Sequence, residues 1–346
     1  MTRQCAIHRE SQAFGPRWGI QHYGRQMTVG TVAGLWRYPV KSMGGEELDR
    51  SVLDLRALHA DRLWAVRDLE LGAVTTARRL PMLLGCTARF VEEPPAGVGP
   101  GNVTDVLVTF PDGTEVTSTD HERMDARLTE LTGKRVALVP LPPLHDKAAY
   151  RGVLGFRKRD IRQQWALADD EPLPDFSMLP IRKLAELSIY ATPIGIFADA
   201  YAVHLLTTSS LRTMSTYGGD FDVRRFRPNI LVDTPLDGLV EQQWMGGTLR
   251  AGDVGVRVEI PAIRCSVPMR EQPGVPADPA VSRTVSQHGE RCLGVYADIV
   301  EVGTIHVGDS VTFEPPQESG TVSGSVGRLA ERVRRNAIRA GSRLLP

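Results

Sequence analysis

The sequence predicts a mixed, β-rich (α+β) fold, built as barrels or sandwiches with peripheral helices. Short segments rich in Val, Leu, Trp and Thr alternate with polar residues from Val29 onward, and again from about Ala200. Turn signals punctuate them, the clearest being Phe110-Pro111-Asp112-Gly113-Thr114, whose Asp-Gly pair suits the tight hairpin turn. Helical signals are confined to a few short stretches. Many short strands at such spacing describe a barrel or sandwich.

In chain order, strands are expected at Val29–Tyr38, Glu47–Leu53, Arg62–Asp68, Ala73–Thr76, Leu83–Phe90, Asp105–Thr109 and Glu115–Thr117. Asp120–Thr132 reads as a helix: Asp120 is an N-cap, Met124, Leu128 and Leu131 share a face, and Gly133 ends it. Residues 140–180 are rich in Pro and charge and read as a partly ordered excursion between two domains. Val203–Thr207 then reads as a strand end and Ser209–Tyr217 as a helix. Further strands are expected at Asn229–Val232, Thr248–Arg250, Gly255–Ile260, Leu293–Val302 and Ser310–Phe313. A basic tail closes the chain, with Leu329, Val333, Ala337 and Ile338 on one helical face; it reads as a solvated helix or a docking surface.

Composition narrows the function classes. A chain of 346 residues has material for two domains. Lys+Arg and Asp+Glu both number 41, and this balance argues against bulk nucleic-acid binding. Cys5, Cys86, Cys265 and Cys292 lack C-x-x-C spacing, which speaks against a structural zinc site, an iron–sulfur cluster or a disulfide framework. Such usage fits a reducing compartment, so a cytoplasmic location is expected. No apolar run reaches the length of a membrane span. Residues 1–26 are polar, lack the apolar centre of a secretory signal, and read as a disordered arm or as an upstream start that the cell does not use.

Chemistry concentrates at five strand ends. Ile260 to Pro268 carries an apolar run into Arg264-Cys265, placing a thiol beside a cation; it is either a reactive or ligating thiolate or a small buried cap. Tyr38 to Gly45 offers Lys41, Ser42 and two glycines that let backbone N–H groups approach an anion, or simply a surface turn. Thr75-Thr76-Ala77-Arg78-Arg79 again joins hydroxyls to guanidinium groups. Thr207-Thr208-Ser209-Ser210 leads into a helix, as an N-cap or as an anion seat at the helix start. Arg224-Arg225-Phe226-Arg227-Pro228-Asn229 brings a basic cluster to the mouth of a core strand, to meet a buried carboxylate or an anionic ligand. Cys292, beside Arg291 and near His288, is a second thiol and reads as structural.

These stretches, in this order, resemble the MOSC family with its N-terminal β-barrel domain, which includes the mitochondrial amidoxime-reducing component. The matching pieces are Leu35 to Ser42, Asp61-Arg62-Leu63-Trp64, Thr75 to Arg78, Leu205 to Leu211, Arg225 to Asn229, Arg264-Cys265 and Gly303 to Asp309. The resemblance implies an N-terminal β-barrel-like domain over 27–150, an inter-domain excursion over 151–199 and a MOSC β-barrel domain over 200–317. The arm (1–26) and basic tail (318–346) flank them.

It also implies a molybdenum cofactor, a molybdopterin-held metal with a protein cysteine as its remaining sulfur ligand. Cys265 matches that cysteine, and Arg264 would flank the metal. By motif position Lys41, Ser42, Arg78, Thr207, Ser210, Arg227 and Asn229 would hold the pterin and phosphate. At family level the resemblance carries pyridoxal phosphate binding as well. The implied activity is reduction of a small-molecule N-hydroxylated substrate, with electrons from a separate electron-transfer protein. The other reading is a sulfur or cofactor carrier. Family reductases often have a Thr-Thr pair after the cysteine; here Ser266-Val267-Pro268-Met269-Arg270-Glu271 departs from it, at the place expected to border the substrate.

Overall fold

The computed structural model describes residues 27–153, 158–167, 171 and 173–316. The expected N-terminal arm and the basic tail helix lie outside the described residues.

Strand β1 (Met27–Arg37) comes first, followed by β2 (Glu46–Leu48), β3 (Arg50–Leu53), β4 (Trp64–Asp68) and β5 (Ala73–Val74). A meander of β6 (Thr87–Phe90), β7 (Val106–Thr109) and β8 (Glu115–Thr117) leads to helix α1 (His121–Thr132), and β9 (Val136–Pro140) returns to pair with β4. The expected caps are present: the Asp120 side chain accepts from Arg123 N, and Gly133 takes the left-handed conformation at φ 64°. Gly113, at φ 82°, turns the β7–β8 hairpin. Strands β4 to β9 and α1 share one core around Val66, Leu83, Val108, Met124 and Leu128.

The segment expected as an excursion contains two helices, α2 (Lys158–Trp165) and α3 (Ile181–Ile189). Leu184 and Leu187 of α3 pack on Leu179, Tyr201 and Ile260, on the outside of the barrel that follows. Apolar contact therefore gives this Pro-rich stretch its order.

The barrel uses β10 (Val203–Thr207), β11 (Ile230–Asp233), β12 (Thr248–Ala251), β13 (Val254–Ile263), β14 (Cys292–Glu301) and β16 (Ser310–Glu314). Helix α4 (Thr208–Ser215) follows β10, helix α5 (Pro279–His288) precedes β14, and β15 (Gly303–His306) pairs with β3. Strand order is β11-β10-β14-β13-β12-β16-β1, and β1 pairs back onto β11 to close the cylinder. Only β10–β11 is parallel among these pairings. Closure leaves the barrel no free edge.

β1 thus falls inside the expected N-terminal range of 27–150 yet completes the barrel built from residues after 200. Its pattern explains this. Val29, Val32 and Leu35 all turn inward although they are spaced by three, because register shifts between Thr28 and Gly30 and between Val32 and Gly34 reset the alternation. They meet Val232, Leu249, Val256 and Val295 in the barrel core.

Candidate functional site

β13 ends where Ile263 pairs with Cys292, and Arg264 N still donates to Arg291 O at 2.7 Å. The backbone then leaves the sheet at Cys265 and enters one 3-10 turn, Val267–Met269. Cys265 is half-buried, whereas Cys86 and Cys292 are buried. Desolvation pushes both buried thiols up to about 12, so they stay protonated. Cys265 is the accessible thiol among the described residues.

The loop that carries it is fixed. Ser266 Oγ donates to Gln164 O at 2.8 Å. Arg225, fully buried, donates to Pro268 O at 3.3 Å and Pro276 O at 2.9 Å, and pairs with Asp220 at 2.8 Å. Of the two roles left open for the Arg224-Arg225 cluster, Arg225 takes the structural one.

Beside this thiol lie Arg78 and Arg264, and a wider cluster continues through Lys41, Arg62 and Arg227, which interact with one another or with Asp199; all five are buried or half-buried. Arg78 and Arg264 both lie within electrostatic reach of Cys265 and of Tyr296. Asp61 and Asp199 are the two carboxylates among the cations: Asp61 pairs with Arg62, while Asp199 Oδ1 sits 2.6 Å from Lys41 Nζ and 3.9 Å from Arg78 Nη2. Five cations thus face two carboxylates, and the excess positive charge favours an anion here.

Two of the arginines have donors to spare. Arg227 lies over the Tyr38 ring, 4.3 Å from its centroid, and its Nη2 is buried with no hydrogen-bond partner. Burial, reinforced by Arg62, pulls its pKa down to about 10. Among the described residues the Arg78 guanidinium has only the long contact to Asp199. An unpaired buried donor costs roughly 1–3 kcal/mol, so such groups mark a place where a partner binds.

The other predicted residues are already engaged. Ser42, at φ 74°, accepts from Ala77 N at 2.9 Å and so ties the Lys41 turn to the Arg78 turn. Asn229 Nδ2 donates to Trp36 O and Asp61, and its Oδ1 accepts from His204 N. Thr207 and Ser210 donate their hydroxyls to the buried Glu241 carboxyl at 2.6–2.7 Å, and Gly294 N donates to it as well. Thr207 also caps α4, accepting from Ser210 N. Gly44 and Gly45 serve packing rather than ligand approach: Gly44 N donates to Cys86 O, and a Cβ on Gly45 would lie 2.1 Å from Arg37 O.

Arg264 does not project freely toward the thiol. Its Nε and Nη2 donate to Leu293 O at 2.8 and 2.6 Å, Nη1 donates to Phe226 O at 3.2 Å, and Nη2 meets His204 Nε2. The other ring nitrogen of His204 lies 3.3 Å from Arg227 O. That assigns the proton to Nδ1, since Nε2 must accept from Arg264. Burial first, then the Arg264 charge, pushes the His204 pKa well below its ordinary value. Gly294 makes room for this contact, since a Cβ there would lie 2.6 Å from His204 Nε2.

His204, Asp199 and Glu241 escape the sequence reading. A histidine inside the fully buried strand Val203–Thr207 was the available signal for the first. Asp199 and Glu241 act through partners 158 and 31–34 residues away, which no local pattern announces.

Fold and site together define a β-barrel protein with an accessible thiol at a strand end beside a cluster of cations. Two family models match the chain: the MOSC N-terminal beta barrel domain over residues 29–135 and the MOSC domain over residues 195–312. The chain belongs to the MOSC family, which associates it with the molybdenum cofactor. No curated protein matches it. Among solved structures, YUAD protein from Bacillus subtilis aligns at a TM-score of 0.39 and 11% identity, covering 85% of this chain and 99% of that one. YiiM from Geobacillus stearothermophilus aligns at 0.26 and 20% identity, covering 35% and 57%. Likenesses at this level say nothing about activity.

Proposed function

We propose that the protein is a molybdenum-cofactor-dependent oxidoreductase that reduces N-hydroxylated compounds (amidoximes, hydroxylamines or N-oxides) with electrons from a separate redox protein. One observation carries the reading: the accessible thiol Cys265 lies within electrostatic reach of Arg78, whose guanidinium has only the long Asp199 contact, in a cation cluster where Arg227 Nη2 is buried without a partner. A molybdopterin supplies an anionic phosphate and two sulfur donors, and a soft metal so held accepts a thiolate as a further ligand. Among the described residues no three His, Cys, Asp or Glu side chains form a metal cage of their own. A single protein sulfur plus the cofactor's own donors is the arrangement such a site can support.

In this reading Cys265 ligates the metal, and Arg78, Arg227 and Lys41 bind the phosphate end. Ser42 and Asn229 hold the two turns and strand ends that carry those cations. The hydroxyls of Thr207 and Ser210 are committed to Glu241, so these residues anchor β10 to α4 behind the site. Arg264, held by two carbonyls and His204, orients the residue before the thiol and contributes positive potential to it. The cofactor, when bound, supplies two-electron reduction of the N–OH bond, with two protons consumed and the oxygen leaving as water. Ser266 to Glu271 borders the thiol and would shape the substrate's approach.

The carrier reading needs a thiol on a mobile loop that can reach another enzyme. The tethers at Ser266, Pro268 and Pro276 favour the reductase. The test is turnover. Protein from a molybdopterin-competent host, reduced by an artificial donor, should convert a model amidoxime or hydroxylamine, and Cys265→Ala should not. Full metal loading with no turnover over a wide N-hydroxy panel would transfer the assignment to the carrier.

A further inference from the structure

We infer that Asp199 is a built-in stand-in anion: it neutralises Lys41 and Arg78 in the ligand-free protein and yields them to a phosphate-like group. The inference rests on the reading of the cation cluster as an anion site, but not on the metal or the reaction.

The geometry is asymmetric in the way this requires. The Lys41 side chain is 5% exposed and that of Arg78 27%, whereas the Asp199 carboxylate facing them is 54% exposed. The buried partners cannot leave, but the exposed one can. Asp199 is held through one oxygen: Oδ1 takes both cation contacts, and among the described residues Oδ2 has no hydrogen bond. Asp199 also lies on irregular backbone between α3 and β10, where a side chain can swing without breaking a sheet or helix.

Lys41 keeps its aim if Asp199 departs, because Nζ also donates to Phe197 O at 3.0 Å. Nearby, Arg227 offers its unpartnered Nη2 and lies within electrostatic reach of Asp199. An anion arriving at this face would therefore meet one preset ammonium, the loosely paired Arg78 and the spare donor of Arg227. Against the upward push of desolvation, Lys41 and Arg78 hold the Asp199 carboxyl well below the usual carboxylate range, so its charge is present throughout the neutral range. A buried ammonium without a counter-charge is costly, so the unliganded fold needs this carboxylate. A phosphate bound to the same cations would repel it.

Inorganic pyrophosphate, titrated calorimetrically into metal-free protein at fixed ionic strength, tests this directly. Asp199→Asn should bind it about tenfold more tightly than the parent chain, because the competing charge is gone. Asp199→Glu, which keeps the charge, should stay near the parent affinity. Asp199→Asn should also melt lower without pyrophosphate and recover when it is added. The double variant Lys41→Met/Asp199→Asn, which removes both members of the pair, should fold and lose the gain. Equal or weaker binding by Asp199→Asn would overturn the inference and make Asp199 a helper that positions Lys41. Absence of binding in every variant would overturn it too, by removing the anion site. Because no molybdenum is involved, success here with failure of the metal assignment would leave the anion switch standing alone.

Discussion

Ser266 Oγ donates to Gln164 O at 2.8 Å, joining the residue after Cys265 to the last turn of α2, 102 positions earlier in the chain. This hydrogen bond brings the segment between the two domains against the thiol-bearing loop. Together with the Arg225 contacts to Pro268 and Pro276, it makes the loop a fixed wall.

Ser266→Ala should therefore cost about 1 kcal/mol of stability, the usual size of one partly buried hydrogen bond. It should also raise the rate at which Cys265 reacts with a small alkylating reagent, several-fold, by loosening the loop. Denaturant melts and timed alkylation of the metal-free protein measure both. An unchanged alkylation rate would mean that the tether does not restrain the thiol.

Glu241 gives a prediction in pH. Its carboxyl is raised above its ordinary value of 4.5 because burial outweighs the hydrogen bonds from Ser210, Thr207 and Gly294. A raised acid favours the folded state at low pH, and that contribution fades as pH rises from 4.5 through the folded value. Glu241→Gln has no such proton to lose. Its stability relative to the parent should improve between pH 4.5 and 8, read from urea melts across that range. A constant difference would contradict the shift.

His204 works in the opposite direction. Its folded pKa lies well below 6.5, so its contribution is present above 6.5 and is lost as pH falls toward the folded value. Gln at this position offers an N–H to Arg227 O and an oxygen to Arg264. His204→Gln should lose less stability than the parent chain between pH 7 and 5. A steeper acid loss in the variant would show that the ring is not held neutral between the two arginines.

The strands are legible where their apolar pattern is local: Glu115–Thr117 and Val203–Thr207 match the expected limits, as does the Asp120 cap of α1. Others were not legible: β9 (Val136–Pro140) and β15 (Gly303–His306) lie outside the expected strands, and α5 announces itself only through Asp278 and Pro279 at its start. β1 was recognised as a strand but not as a barrel member, since closure depends on pairing with β11 about 200 residues away. At the site, positive charge was readable and its partners were not. Lys41, Arg78, Arg227 and Arg264 stand out in sequence, but the residues that engage Lys41, Arg78 and Arg264 (Asp199 and His204) become visible only when the chain is folded. Thr207 and Ser210 show the converse: hydroxyls at a helix start suit an anion, and here that anion-type partner is the chain's own Glu241.

The central claim is that Cys265 is the protein's bond to the metal, and molybdenum content tests it most directly. Protein from a molybdopterin-competent host should carry close to one molybdenum per chain by elemental analysis. Cys265→Ala should lose it, while Cys292→Ala, whose thiol is buried and protonated at about 12, should keep it. Equal molybdenum in the two variants would contradict the ligand assignment.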